Sequence, residues 1–198
     1  MGALVDTKTL RNAIPADPPR LQPVELSVIV PTFNERANLP ALVAGLTSAL
    51  ADIRWELIVV DDDSPDGTAE EVRRWHGINP RVRILRRIGR RGLSSACIEG
   101  ALASSAPYLA VMDADGQHDP RLLPAMLRVL RDDEADLVVG SRHVENGSIG
   151  AWSGWRAQIS QVATGLAHTS GLRQLSDPMS GFFAIRREAF EARAPHLA

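Results

Sequence analysis

The sequence predicts a single α/β domain with a mainly parallel sheet and helices on both faces. Three observations lead there. From Glu25 onward, short β-rich runs alternate with helical patterns, the signature of βαβ units. The runs Leu26–Val30, Leu57–Val60 and Tyr108–Met112 are almost continuously apolar and end at turn residues, as strands buried on both faces do. The length of 198 residues suits one domain with a sizeable core, and no internal repeat or second domain boundary is visible.

Each element follows from its local pattern. Residues 1–24 carry Pro15, Pro18, Pro19 and Pro23 among mixed polar residues and read as a flexible tail, leaving 25–198 as the folded domain. Leu26–Val30 is the first strand, ended by Pro31. Asn38–Leu50 has helical spacing in Leu39, Leu42, Val43, Leu46 and Leu50. Leu57–Val60 is the second strand, Thr68–Trp75 a short helix and Val82–Leu85 the third strand. Leu93–Ala103 is a helix of small residues suited to close packing on a sheet. Tyr108–Met112 is the fourth strand, Arg121–Leu130 a helix and Leu137–Val139 the fifth strand. Beyond Gly140 the pattern loosens: Asn146-Gly147 signals a turn, Trp152–Thr169 has helical character, Gly181–Ile185 reads as a late strand, and a helix starts at Arg187.

Composition narrows the functional classes. A formal net charge of -2 gives no global sign of a nucleic-acid partner. The single cysteine, Cys97, excludes an internal disulfide framework and a cysteine-rich zinc site, and it reads as a buried small hydrophobe. No apolar run reaches the length of a transmembrane helix, and Met1–Pro23 lacks the apolar core of a signal peptide. Arg81, Arg83, Arg86, Arg87, Arg90 and Arg91 cluster in sequence. Most of them read as a solvated face, with one or two available to a phosphate or an anionic membrane surface.

The strand ends carry the chemistry. Tyr108–Pro120 reads YLAVMDADGQHDP: an apolar strand breaks into Asp113-Ala114-Asp115, then Gly116, Gln117 and His118. Carboxylates at a strand's carboxyl end face the crevice where open α/β sheets bind ligands. Oxygen donors of this kind suit Mg²⁺ or Mn²⁺, which take one or two carboxylates and complete their shell with phosphates. The competing reading is a polar loop whose aspartates cap the next helix. His118 reads as a supporting or surface group rather than a ligand. Pro31-Thr32-Phe33-Asn34-Glu35 follows the first strand, with Glu35 open to a ligand and helix capping by Asn34 or Glu35 as the competitor. Asp61-Asp62-Asp63-Ser64-Pro65-Asp66-Gly67-Thr68 follows the second. Three adjacent carboxylates repel, so exposure or a partner must compensate. Asp66-Gly67 supplies a turn, Thr68 can cap the next helix, and a carboxylate such as Asp62 can accept from a base N–H or a ribose hydroxyl. Gly140-Ser141-Arg142 follows the fifth strand. Arg156 and Ser160, four apart, share a helix face and join it as a second anion site, since arginine forks match phosphate oxygens. Asp177, in the stretch before Gly181, could orient an arginine or sit near the acceptor, with a plain turn as the competitor.

Taken together, SVIVPTFNERANL, WELIVVDDDSPDGTAE, RRGLSSACIEGA, MDADGQHDP, VVGSRH and SDPMSGFFAIRR resemble glycosyltransferase family 2, with its GT-A fold, and within it the polyprenyl-phosphate mannosyltransferases. These stretches keep the family's order from Ser27 to Arg187. The resemblance implies a nucleotide-sugar donor, GDP-mannose favoured, and a polyprenyl (dolichyl) monophosphate acceptor. By motif match, Pro31, Phe33, Glu35, Val60, Asp62, Asp113 and Ala114 are substrate-contacting positions. Asp113, Asp115 and Gln117 are the divalent-metal positions. Arg142, Arg156 and Ser160 hold the acceptor phosphate. Asp115, Arg142 and Arg156 are then the residues closest to the chemistry, and direct attack by an already ionised phosphate inverts the anomeric centre without a strong protein base. The resemblance also implies peripheral contact at the cytoplasmic face of a membrane and no nucleic acid.

Some positions depart from the family pattern. Phe33 stands where tyrosine is common, and Gly116 where leucine is common. The family continues past the position of Ala198, so the chain is expected to be a catalytic domain short at its C-terminal end. Three rivals stand beside this reading. One is a UDP-sugar (glucose or similar) polyprenyl-phosphate glycosyltransferase. Another is a nucleotide-binding fragment without turnover. The weakest is a dinucleotide-binding enzyme, whose G-x-G-x-x-G after the first strand is missing here.

Overall fold

The computed structural model describes residues 22–140 and 181–196. Strands β1 (Leu26–Thr32), β2 (Trp55–Asp61), β3 (Val82–Arg86), β4 (Tyr108–Val111), β5 (Leu137–Val139) and β6 (Phe183–Arg186) form one sheet in the order β3-β2-β1-β4-β6-β5. The β1–β2, β2–β3 and β1–β4 pairs are parallel. β6 runs antiparallel to both β4 and β5. The sheet is mainly parallel, as predicted, with one reversed strand inserted between β4 and β5. That reversal could not be read from periodicity, because a strand's own pattern of apolar residues carries no sign of its direction.

The helices are α1 (Leu39–Ala49), α2 (Thr68–Ile78), α3 (Leu93–Leu102), α4 (Leu123–Arg131) and the short α5 (Arg187–Glu191). They cover both faces. On one, α1 (Leu39, Leu42, Val43, Leu46) and α4 (Leu123, Met126, Leu127, Leu130) pack with Val72 of α2 against Val28, Val30, Leu57 and Val59. On the other, Ala96, Cys97 and Ala101 of α3 and Ala189 and Phe190 of α5 pack against Ile29, Ile58 and Val60. Alternate residues of β1 and β2 thus feed opposite cores, the period of two that a strand imposes. Cys97 lies in the second core, and burial pushes its thiol up to about 12, which suits the inert role expected of it.

Boundaries differ from expectation in informative ways. β1 does not end at Pro31 but runs to Thr32, with Pro31 opposite Val60. The Ile29 carbonyl accepts from Met112 N–H and the Thr32 carbonyl from Asp62 N–H. By alternation the Pro31 nitrogen faces the β4 side, beyond the last β1–β4 pair, Ile29–Val111. No ladder bond is lost, so proline is tolerated there. Thr68 is not the cap of α2; Gly67, at φ 87°, holds that position. The segment predicted as Arg121–Leu130 begins with a 3₁₀ turn, Pro120–Leu122, before α4.

Strand order also locates the ligand crevice. The chain moves outward from β1 to β2 and β3, then returns to place β4 on the other side of β1. The carboxyl ends of β1 and β4 therefore flank a topological switch point, where open α/β sheets leave a crevice.

Candidate active site

Two loops at this edge hold each other. After β1, the backbone N–H groups of Asn34, Glu35 and Arg36 donate to Ser64 Oγ (2.9 Å), Thr68 Oγ1 (3.1 Å) and Asp66 Oδ2 (3.1 Å). Ser64 Oγ in turn donates to Asp61 Oδ1 at 2.5 Å, and Thr68 Oγ1 to Asp66 Oδ1 at 2.6 Å. The motif after β2 is thus largely a cradle for the motif after β1. It fixes Asn34 at φ 62° and presents Phe33 and Glu35. Neither Asn34 nor Glu35 caps α1, which starts at Leu39 behind Asn38.

The three adjacent carboxylates each have their own partners. Asp61, fully buried, accepts from the Ser64 N–H and from the Ser64 and Thr32 hydroxyls. Asp63 takes a left-handed φ of 57° and pairs with Arg86 at 2.5 Å. Asp62 receives a two-pronged bond from Arg87, Nε to Oδ1 at 2.7 Å and Nη2 to Oδ2 at 2.8 Å, and a third from the Gly92 N–H at 2.8 Å. The repulsion expected from the sequence is relieved by partners for all three, with Asp63 also half-exposed.

Arg87 is the exception within an arginine cluster whose members Arg83, Arg86 and Arg90 keep much of their side chains in solvent. It is 3% exposed. Besides Asp62 it donates to Ser95 Oγ (2.8 Å), Glu99 Oε1 (3.0 Å) and the Gly92 carbonyl (2.8 Å). Burial works against its charge, but Asp62 and then Glu99 outweigh this and hold the guanidinium above its ordinary value. Arg91 also serves the site, with its guanidinium over the Phe33 ring, 4.1 Å from the centroid. Sequence reasoning left one or two of these arginines open to a ligand but did not single out Arg87 or Arg91; the signal available was an arginine two residues past a predicted strand and another immediately before a glycine-led helix.

These groups surround a cavity of about 400 Å³ lined by Pro31, Thr32, Phe33, Glu35, Asp62, Arg91, Gly92, Leu93 and Ala96. The volume is in the range of small-molecule sites. Pro31, Phe33, Glu35 and Asp62, four of the positions named by motif match, meet there. The amino end of α3 forms one wall, so its partial positive charge lies beside Arg91. Val60 forms no wall of the cavity: its side chain is fully buried in the core under α3. The Ala114 side chain is likewise buried, in the opposite core. A substrate could meet these two positions only through their backbone.

The loop after β4 brings a second set of oxygens close. Glu35 is held above the usual carboxylate range chiefly by burial, which outweighs its bond from Asn38 Nδ2 (2.6 Å); the negative charge of Asp115 adds to the rise. Asp113 is buried and Asp115 half-buried, with the Gln117 N–H donating to Asp115 Oδ1 at 3.1 Å. Gly116, at φ 76°, turns the loop in a region that a leucine would enter only with strain. His118 is buried, its ring stacked on Phe182 at 5.1 Å, and its Nδ1 accepts from the Asp113 N–H at 3.1 Å. It braces the loop, as a supporting histidine would. The helical segment that follows is capped by Asp119, whose Oδ1 accepts from the Arg121 N–H, and not by Asp113 or Asp115. The competing reading of those two as helix caps is therefore excluded. Among the described residues no group of three or more His, Cys, Asp or Glu is placed to hold a metal. Arg142, Arg156, Ser160 and Asp177, and the Trp152–Thr169 helix, lie outside the described residues.

A family model for glycosyl transferase family 2 matches residues 27–193. The chain belongs to this family. Its relatives include a dolichol-phosphate mannosyltransferase of Pyrococcus furiosus, 39% identical over 170 residues, which span 85% of this chain and 48% of the relative. The Saccharomyces cerevisiae dolichol-phosphate mannosyltransferase is 39% identical over 173 residues, 85% of this chain and 63% of that protein. The chain thus spans between about half and just under two thirds of the length of these relatives. Among solved structures, a Pyrobaculum calidifontis mannosyltransferase in complex with GDP-Man and Mn²⁺ superposes with a TM-score of 0.57 at 22% identity, covering 89% of this chain and 50% of that one. Glucosyl-3-phosphoglycerate synthase of Mycobacterium tuberculosis with Mn²⁺ and UDP-glucose gives 0.57 at 20% identity, covering 83% of this chain and 57% of that one. At these identities the likeness is one of fold, and the fold is the GT-A glycosyltransferase fold.

Proposed function

We propose that the chain carries the donor site of an inverting, metal-dependent mannosyltransferase that moves mannose from GDP-mannose to a polyprenyl (dolichyl) monophosphate. The observation that carries this reading is the cavity at the carboxyl ends of β1 and β2, beside the amino end of α3. It joins an acidic hydrogen-bond acceptor (Asp62), an aromatic–guanidinium wall (Phe33 and Arg91) and a helix amino end, and its Glu35 carboxyl feels the negative charge of Asp115 in the loop after β4. The choice of mannose and of a lipid phosphate is supported by the names of the relatives that share 39% identity.

In this reading Asp62 accepts from a donor N–H of the nucleoside. Its carboxylate is buried and oriented, so little freedom is lost on binding. Arg91 and the amino end of α3 supply positive potential for the diphosphate. The donor set of Asp113, Asp115 and Gln117 fits Mg²⁺ or Mn²⁺: it is all oxygen, has two carboxylates, and leaves coordination positions for phosphate oxygens. It does not fit structural zinc, which takes four nitrogen or sulfur-rich ligands. A bound divalent cation supplies charge neutralisation at the departing diphosphate. Arg142, Arg156 and Ser160 hold the acceptor phosphate, which attacks as an ionised oxygen. The chain's contribution is then orientation and charge, with no general base. Work at the cytoplasmic face of a membrane follows from a lipid acceptor; no helix among the described residues is long and apolar enough to cross one.

The test is transfer of labelled mannose from GDP-mannose to polyprenyl phosphate in detergent with Mn²⁺, beside UDP-glucose. Label in an acid-labile lipid product, lost in Arg156→Ala, supports the reading. Label delivered only from UDP-glucose moves the donor to the UDP-sugar alternative. Arg156→Ala transferring at the normal rate removes the acceptor assignment.

A further inference from the structure

We infer that Arg87 is a positioning residue for the donor nucleoside: it acts through Asp62 and the amino end of α3 without touching the substrate. This rests on the donor-site reading above. A guanidinium has five N–H donors, and Arg87 uses each of them: Nε and one Nη2 hydrogen on Asp62, the other Nη2 hydrogen on the Gly92 carbonyl, and the two Nη1 hydrogens on Ser95 and Glu99. Its backbone is tied as well, since the Arg87 N–H donates to the Asp61 carbonyl at 2.8 Å.

The pattern of partners matters more than their number. Asp62 follows β2, Arg87 follows β3, and Gly92, Ser95 and Glu99 belong to the amino end and first turns of α3. One buried side chain therefore sets the spacing of two cavity walls, Asp62 on one side and Gly92–Ala96 on the other. The Asp62–Gly92 bond at 2.8 Å closes the same ring. Glu99 also pairs with Arg90, so its charge is shared between a buried arginine and an exposed one. A lysine at 87 would keep the charge but has no planar fork, and could not hold both Asp62 oxygens and the α3 groups at once.

The experiment is a double-mutant cycle on nucleotide affinity, measured by calorimetry with GDP and Mn²⁺ on the whole chain. The variants are Arg87→Lys, Asp62→Asn and both together, each checked by thermal melt to be folded at the assay temperature. Arg87→Lys is expected to weaken GDP binding roughly tenfold in the parent and only about two- to threefold in the Asp62→Asn background, where its hold on α3 is all that remains to lose. A merely structural arginine would weaken binding by the same factor in both backgrounds, and that result overturns the inference. So does unchanged affinity in Arg87→Lys. If Arg87→Lys does not fold, Ser95→Ala and Glu99→Gln each remove one of Arg87's bonds to α3 while leaving Asp62 in place. Each should then weaken GDP binding by about two- to fivefold, and full affinity in both overturns the inference. If the parent chain itself binds neither GDP nor UDP, the donor-site reading has failed and the inference falls with it, an outcome distinct from loss confined to the variants.

Discussion

Gly100 lies in α3 where that helix crosses β1 and β2, and its replacement by alanine tests how closely the helix is seated. A Cβ there would lie 2.5 Å from Ile29 Cγ2, 2.8 Å from Val60 Cγ2 and 3.4 Å from Ile29 Cγ1. Optimal carbon contacts are about 3.5–4.0 Å, so two contacts fall well inside the repulsive wall. Both neighbours are β-branched, fully buried and on strands paired on both sides, so neither yields cheaply. Overpacking costs about 1–3 kcal/mol, and two clashes argue for the upper end. The helix gains about 1 kcal/mol when glycine becomes alanine. The net expectation is a loss of about 2 kcal/mol. Gly77 in α2 is the control, because a Cβ there meets nothing within 4 Å; Gly77→Ala should gain up to about 1 kcal/mol. Urea unfolding midpoints at unchanged slope give both numbers. Because α3 carries a cavity wall, Gly100→Ala should also weaken nucleotide binding. A Gly100→Ala protein as stable as the parent, beside a stabilised Gly77→Ala, would rule out the close seating of α3 and the spacing of the cavity built on it.

Glu35→Gln should be more stable than the parent above the weakly acid range. The Glu35 carboxyl is raised in the fold, mainly by burial, so the folded state binds the extra proton and stability falls as pH rises from its ordinary value through the raised one. The gap in melting temperature between the two proteins should open across that interval; a gap constant with pH would sink the argument. Asp62→Asn should cost about 3 kcal/mol in a urea melt, the low end for breaking a buried pair, because Glu99 still faces Arg87; a loss below about 1 kcal/mol would mean the pair is not buried as described. Cys97, with its thiol pushed up to about 12 and its side chain buried, should resist a disulfide reagent in the native protein and react fully once denatured; prompt labelling without denaturant would be incompatible with the packing of α3.

Much of the fold was legible because its periodicities are strong. Leu39, Leu42, Val43 and Leu46 repeat at helical spacing, and each is buried in α1. The apolar runs of β1, β2 and β4 all became central strands. What stayed hidden depends on contacts distant in sequence. The reversal of β6 is a matter of which strands it pairs with, not of its own composition. The burial of Arg87 is set by Asp62, twenty-five residues earlier, and Glu99, twelve later; its own surroundings in sequence are arginines, which resemble a solvated face. The same holds for the candidate site. Phe33, Glu35 and Asp62, three of the positions named by motif match, converge on the cavity, but the sequence could not show that Asp61, Ser64, Asp66 and Thr68 serve the neighbouring loop. Nor could it show that Val60 and Ala114 turn into the cores.

A metal-dependent nucleotide site between the β1 and β4 loops underlies the whole functional reading. It is open to calorimetric titration of GDP and UDP with Mn²⁺, with Mg²⁺ and with EDTA, on the parent chain and on Asp115→Ala. GDP should bind only with the divalent ion, and binding should disappear in Asp115→Ala. GDP binding that is indifferent to EDTA and to Asp115→Ala, or no binding of either nucleotide, would show that no such site exists.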